Sequence, residues 1–226
     1  MRRLWLAGAA VALLGACAGP GSDMRNRPLA PNPSGFVAAE LAFARLAQDK
    51  GQWTAFRETS APDAVMFVPE RVNAKAWLKG RADPPASVRW QPHAVFSSCD
   101  GSAGATTGAW QQPDGSTGYY TTVWLRDPLK GELRWVLDHG DGLVTPREVP
   151  EFIASKQAAC GARPAVGIEA GGEGDDTAVG LSRDQTMSWT STVRPDKSRR
   201  VTIRLWDGEA MVPVVDDVVA APGAAA

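Results

Sequence analysis

The chain predicts an α+β domain with its helices segregated on one face of an antiparallel sheet. Two observations carry that expectation. Apolar residues recur at helical spacing as far as about residue 81, and from Val88 onward short alternating segments are separated by Gly, Pro and Asp turns. Ser34 is placed to cap a first helix reaching about Gln48, with Phe36, Glu40, Phe43 and Ala47 on one stripe beside Val37, Leu41 and Ala44. Gly51 breaks it, and a second short helix carries Trp53 and Phe56 to the turn Ser60-Ala61-Pro62-Asp63. Residues 64–68 read as a strand stopped by Pro69. Asn73 caps a third helix that runs to Arg81, with Gly80 and Asp83-Pro84-Pro85 as its stop. Four antiparallel strands are expected over 88–97, 104–111, 118–126 and 133–138.

The N-terminus has its own logic. A basic start (Arg2, Arg3), an apolar run from Leu4 to Leu14 and the small residues Gly15-Ala16 before Cys17 spell a secretory signal over residues 1–16. The run is too short for a bilayer, which takes about 20 residues of helix. Leu14-Gly15-Ala16-Cys17 resembles the lipobox of bacterial lipoproteins, in which the Cys is acylated and becomes the first mature residue. An ordinary signal peptide cut after Ala18 is the alternative. Residues 17–34 comprise this Cys and a Pro/Gly/Asn-rich tether, long enough to hold the folded part roughly 50 Å from the lipid. Ala18 lacks the acidic signal of inner-membrane retention in enterobacterial lipoproteins, so by that resemblance the outer membrane is the expected address.

Removing residues 1–16 takes away Arg2 and Arg3 and no acid, leaving 22 basic against 25 acidic residues, a formal charge of −3. Such a balance has no pull on phosphates, and nucleic acid is excluded as a partner class. The remaining cysteines, Cys99 and Cys160, form an even pair in an oxidising compartment and are expected to make a disulfide. A metal site is disfavoured because His93 and His139 are the only histidines and neither is spaced as a ligand pair. No phosphate loop, nucleophile elbow or Cys-x-x-Cys is present, and no cofactor is expected.

Residues 143–161 read as a helical segment, with the helix over 150–159, and the Gly-rich acidic stretch 162–182 as a linker. Residues 183–212 read as a β-hairpin turning at Pro195-Asp196-Lys197-Ser198, and 213–226 as a loosely held tail. Arg194, Lys197, Arg199, Arg200 and Arg204 cluster around that turn, as a solvated edge or a contact for anionic lipid or a partner.

Residues 35–142 carry a family likeness. Glu40-Leu41-Ala42-Phe43-Ala44, Ala61-Pro62-Asp63-Ala64-Val65, Val72-Asn73-Ala74-Lys75-Ala76-Trp77-Leu78, Thr107-Gly108-Ala109-Trp110, Gly118-Tyr119-Tyr120 and Leu133-Arg134-Trp135-Val136-Leu137-Asp138-His139-Gly140 resemble the DUF4440/SnoaL-like branch of the NTF2-like superfamily. The resemblance implies three helices packed on a curved antiparallel sheet, a cone with a pocket at its open end, here extended by the C-terminal helix and hairpin. It leaves activity open, since this superfamily hosts isomerases, dehydratases, cyclases and plain binders.

Strict alternation puts Trp135, Leu137, His139 and Asp141 on one strand face, which the resemblance turns into the cone. His139 is then a candidate general base or ligand donor oriented by Asp141, against the alternative of a strand-capping His. Trp53, Phe56, Trp77, Trp110, Tyr119, Trp124 and Trp135 are candidate lining, with plain core packing as the alternative for each. The helix that supplies a Tyr in ketosteroid isomerase has none here, which argues against that chemistry. Three readings follow: a lipid-anchored binder of a small apolar molecule, an enzyme with His139 as acid/base (isomerase-, dehydratase- or hydrolase-like), and a structural envelope protein. A homodimer stays open.

Overall fold

The computed structural model describes residues 32–161 and 171–223. The expected signal sequence, Cys17 and most of the expected tether lie outside these residues.

Helix α1 (Pro33–Lys50) buries Phe36, Glu40, Phe43 and Ala47, one stripe at the spacing of successive turns. Ser34 is inside the helix and does not cap it; Asn32 is the cap residue and makes no side-chain bond there. Gly51 ends the helix at φ +106°, and a Cβ there would fall 2.3 Å from the Asp83 carboxyl. That carboxyl accepts from the Thr54 backbone N–H (2.9 Å) and hydroxyl (2.6 Å) at the start of α2 (Gln52–Thr59), so it caps α2 from 29 residues away. The chain continues into β1 (Ser60–Phe67), its antiparallel partner β2 (Arg71–Asn73), and α3 (Ala74–Leu78). Asn73 caps α3 by accepting from Ala76 N–H at 2.8 Å, but the helix stops at Leu78, short of the expected Arg81.

The main sheet has seven strands in the order β2-β1-β6-β5-β4-β3-β7. β3 (Arg89–Ser97), β4 (Ala103–Gln111), β5 (Thr117–Arg126) and β6 (Leu133–Leu143) form the antiparallel meander that the sequence predicts. The sheet as a whole is mixed, because β1 runs parallel to β6 and β7 (Ala154–Gln157) runs parallel to β3.

Three C-terminal expectations are corrected. The helix expected at 150–159 is strand β7: paired along β3 and followed by a disulfide from Cys160 to Cys99, the segment is held extended. Pro150 and an exposed Phe152 leave it no buried apolar face to favour a helix. The supposed linker 162–182 contains β8 (Asp176–Leu181), and the supposed tail contains β11 (Met211–Val219). With β9 (Met187–Val193) and β10 (Arg199–Trp206) they form a second sheet, β11-β10-β9-β8, antiparallel throughout. A two-stranded hairpin is marginal in water, and four strands with one apolar face are not. Gly180 makes room for its cross-strand neighbour, since a Cβ there would sit 2.2 Å from the Trp189 ring. Pro213 is tolerated because β11 is an edge strand, with a register shift opposite Ile203/Arg204.

Two cores result, one on each face of the main sheet. On the helix side Phe36, Phe43, Leu78, Trp124 and Trp135 pack together. On the other side Met187, Val201, Ile203 and Leu205 of the second sheet meet Ala103, Ala105, Val123 and Leu137. The molecule is a helix–sheet–sheet sandwich with the seven-stranded sheet in the middle.

The Cys99–Cys160 disulfide closes the far end of β7 onto the β3–β4 connection. On the chain-entropy account a loop of this length contributes about 4 kcal/mol. Reduction, or Cys160→Ser, is expected to lower the melting temperature and to raise hydrogen exchange first in β7. Equal melting curves with and without reductant would contradict this.

Candidate functional site

The site begins with a charged residue on an apolar stripe. Glu40, midway along α1, is fully buried against the sheet. Three strands supply its partners: Trp90 Nε1–H of β3 donates at 2.6 Å, the Thr106 hydroxyl of β4 at 2.5 Å and Trp124 Nε1–H of β5 at 3.1 Å. Burial pushes the Glu40 carboxyl up to about 6, while the bonds from Thr106, Trp90 and Trp124 pull it back down.

The second carboxyl reaches this layer through a bulge. β6 pairs Leu137 with Val123 but Trp135 with Trp124, so Val136 is an extra residue in β6. Before the bulge, Trp135 faces the helices; after it, Leu137 faces the second sheet. The parity of the strand is reversed from there on. Asp138 therefore points to the helix side, where the Thr122 hydroxyl donates to its carboxylate at 2.7 Å. Burial pushes Asp138 up to about 7, against the Thr122 bond that lowers it, and the negative charge of Glu40 raises it further. Tyr120, two residues before Thr122 on β5, has a buried hydroxyl with no partner. Burial raises that phenol well above its usual range, as do the charges of Glu40 and Asp138, so it is a fixed hydrogen-bond donor.

Asp138 and Tyr120 stand at the floor of an open cleft of about 1030 Å³ between α1–α2 and the end of the sheet, lined by Trp53, Phe56, Trp90, Trp110, Tyr120 and Asp138 among others, with Glu40 buried behind them. It is open at this end because β1 stops at Phe67 while β6 continues to Leu143. Asp141 and Gly142 form part of the rim, with Ser116 and Thr117 from the β4–β5 turn. Trp53, Phe56 and Trp110 are on the cleft. Trp77 is not; it packs edge-on to Trp53 at 5.7 Å under the Arg81 guanidinium. Trp135 and Trp124 are fully buried, Trp135 donating to the Thr59 hydroxyl at 2.9 Å. Tyr119 faces the opposite side from Tyr120, against His139 and beneath Arg147.

His139 is the main correction. His139 is among the residues that bound the cleft, but the bulge turns its ring away from the helices, and its side chain is fully buried between the two sheets. Its Nε2 is 3.0 Å from Asp217 Oδ2 of β11, which also accepts from the Thr121 hydroxyl at 2.8 Å. Burial pushes the imidazole down, against the opposing pull of Asp217. The neutral ring donates from Nε2–H, and Nδ1 is buried without a partner. Asp141 does not hydrogen-bond His139; its carboxylate accepts from the Gly142 backbone N–H at 2.9 Å. Arg199 donates to Gly140 O at 3.0 Å, and Arg147 to the Thr107 hydroxyl at 3.0 Å, completing a polar tie between the sheets.

Sequence reasoning missed Glu40, Asp138 and Tyr120 as site residues. A carboxylate amid Phe36, Phe43 and Ala47 was a usable signal for the first. Asp138 and Tyr120 had none, since both depend on strand parity. Among the described residues no group of His, Cys, Asp and Glu is disposed to hold a metal ion, and no helix is long and apolar enough to cross a membrane.

No family model and no curated protein matches the chain. Solved structures do. A protein of unknown function from the DUF3225 family of Pectobacterium atrosepticum is similar at 14% identity, covering 52% of this chain and 98% of its own, with a TM-score of 0.38. An NTF2-like protein of unknown function from Silicibacter pomeroyi shows 17% identity over 50% of this chain and 99% of its own, TM-score 0.36. One from Cytophaga hutchinsonii shows 12% over 49% and 97%, TM-score 0.33. Two of these three are NTF2-like proteins. The architecture above rests on the chain's own topology.

Two predictions follow from this geometry. Asp138 keeps its proton in the folded protein to about pH 7 but loses it near 3.8 when unfolded. Its stabilisation is therefore present below about pH 4 and is lost as pH rises towards 7. Glu40 works in the same sense between 4.5 and about 6, while His93 and His139, both held down by burial, work in the opposite one. Comparison with Asp138→Asn isolates the carboxyl: from pH 5 to pH 8 the wild type should lose about 1–3 kcal/mol relative to the variant in denaturant titrations. Parallel profiles would exclude an elevated Asp138. For the inter-sheet tie, His139→Ala should cost about 1–3 kcal/mol of stability, the price of leaving Asp217 and Thr121 short of a buried partner. It should leave binding in the cleft unaltered, and a selective loss of ligand affinity would return His139 to the site.

Proposed function

We propose that this is a lipid-anchored protein of the bacterial cell envelope, with an NTF2-like cone of the DUF4440/SnoaL-like kind that binds a small, largely apolar molecule. One observation carries the binding reading: an open cleft of about 1030 Å³ at the end of the sheet offers aromatic walls with a few convergent polar groups at the floor. That is the usual composition of a small-molecule site. The lipobox spelling at Leu14-Gly15-Ala16-Cys17 supports the anchor, and the disulfide suits an oxidising, exported setting. Placement at the outer membrane, periplasmic face, rests on Ala18 beside the acylated Cys.

A second reading, an enzyme with acid/base chemistry, draws on a different fact. Asp138 is reached from the cleft and titrates near neutrality, the property a general acid or base needs at physiological pH. In that reading Asp138 takes the part first given to His139, and the Tyr120 hydroxyl donates to the substrate.

One experiment serves both location and binding. Wild type and Cys17→Ser are expressed in a native-like envelope, fractionated, and the purified protein is extracted for mass spectrometry. Wild type should sediment with membranes carrying an acylated Cys17, and the variant should be released or stay uncleaved. The extract of the wild type should contain a stoichiometric small molecule, lost when Trp53→Ala narrows the aromatic wall. A mature N-terminus at Gly19 without lipid would overturn the anchor. No retained molecule, with no binder found in a tryptophan-fluorescence screen, would overturn the binder.

A further inference from the structure

We infer that the molecule the cleft takes is an organic cation, an ammonium group on an apolar or aromatic body, held with its charge at Asp138 and its body between the rings of Trp53, Phe56, Trp90 and Trp110. The inference rests on the binding reading above and goes further by fixing the ligand's charge.

Charge distribution is the first argument. Among the described residues the cleft is lined by two carboxylates, Asp138 at the floor and Asp141 at the rim, and by no Lys or Arg. A third carboxylate, Glu40, lies buried behind the floor and acts on Asp138. The basic residues nearby are turned elsewhere. Arg147 bonds Thr107 and Gly108 and faces Asp217 on the opposite side of the sheet, and Arg199 bonds the Gly140 carbonyl while facing Asp141 from outside. An anion entering here would meet only like charge. A cation would meet a carboxylate whose protein partner is a single neutral hydroxyl, Thr122.

The walls supply the second argument. Trp, Tyr and Phe faces carry negative electrostatic potential and attract cations, Trp most strongly. Trp90 has its indole N–H committed to Glu40 and Trp110 to the Tyr119 carbonyl. Neither can use that N–H to hold a ligand, and both contribute ring surface instead. The Tyr120 hydroxyl, buried and unpartnered, stays neutral and adds no positive charge to the floor.

Protonation follows from the same arrangement. The titratable groups facing Asp138 are Glu40 from α1 and Tyr120 from β5; α2 presents Trp53 and Phe56, β3 presents Trp90, and the positive charge of Arg147 acts on Tyr120. A bound cation favours the ionised form of Asp138, so its affinity must rise as pH rises through neutrality, whereas a neutral ligand gains nothing from that ionisation.

The test uses benzyltrimethylammonium, whose charge does not titrate, and its neutral isostere neopentylbenzene, each titrated against the full-length wild-type protein by tryptophan fluorescence and NMR. The cation should bind at least tenfold more tightly than the isostere at pH 8 and lose most of that advantage at pH 5. Asp138→Asn, checked for folding by its melting curve, should abolish the preference; should that variant not fold, the pH comparison on wild type decides alone. Equal or tighter binding of neopentylbenzene overturns the inference and leaves the apolar-binder reading standing. Failure of both probes at millimolar concentration overturns both.

Discussion

Burial of the Glu40 carboxylate is the constraint around which the helix side of this molecule is arranged. A charged group in the interior is tolerated only with hydrogen bonds in place, and here three donors come from three adjacent strands. Because those donors sit on β3, β4 and β5, one side chain sets both where α1 lies and how it is rotated on the sheet. Phe43, one turn further along α1, then falls among Phe56, Trp90, Trp124 and Trp135, all within 6.4 Å by ring centroid. The aromatic packing that shapes the cleft wall is thus registered by a polar contact, which is directional in a way that apolar burial is not.

The Val136 bulge has an equally local cause and a wider effect. One extra residue in β6 exchanges the two faces of the strand beyond it. Without it, Asp138 would lie between the sheets and His139 would face the cleft. With it, the acid goes to the aromatic cleft, where burial and Glu40 raise its proton affinity, and the imidazole goes to Asp217. Which titratable side chain turns toward the aromatic cleft, the acid instead of the imidazole, is decided by that single insertion.

The second sheet explains why the outer face of the cone sheet is as apolar as its inner face. Ala103 and Ala105 are small enough to let the sheets approach, and Met187, Ile203 and Leu205 fill the space between. Where this packing gives way toward the open end, the apolar contacts are replaced by the Thr121–Asp217–His139 bonds and by Arg147 and Arg199. The same end of the sheet thus carries the cleft on one face and a buried polar tie on the other.

The sequence by itself determined the order of elements from α1 to β6 apart from the short β2, because helical and alternating periodicities and their Gly, Pro and Asn boundaries are local properties. It determined the pairing of Cys99 with Cys160 by parity of count. The expected export and acylation signal lies outside the described residues. Only the tertiary structure decided the fate of 150–159 and 213–219, segments of weak local preference that contribute β7 and β11 by pairing with β3 and β10. It also decided which way Asp138 and His139 face. Periodicity assigns faces correctly only while the register is unbroken, and a bulge forms where cross-strand pairing and side-chain packing favour it, which no run of residues read along one strand can show.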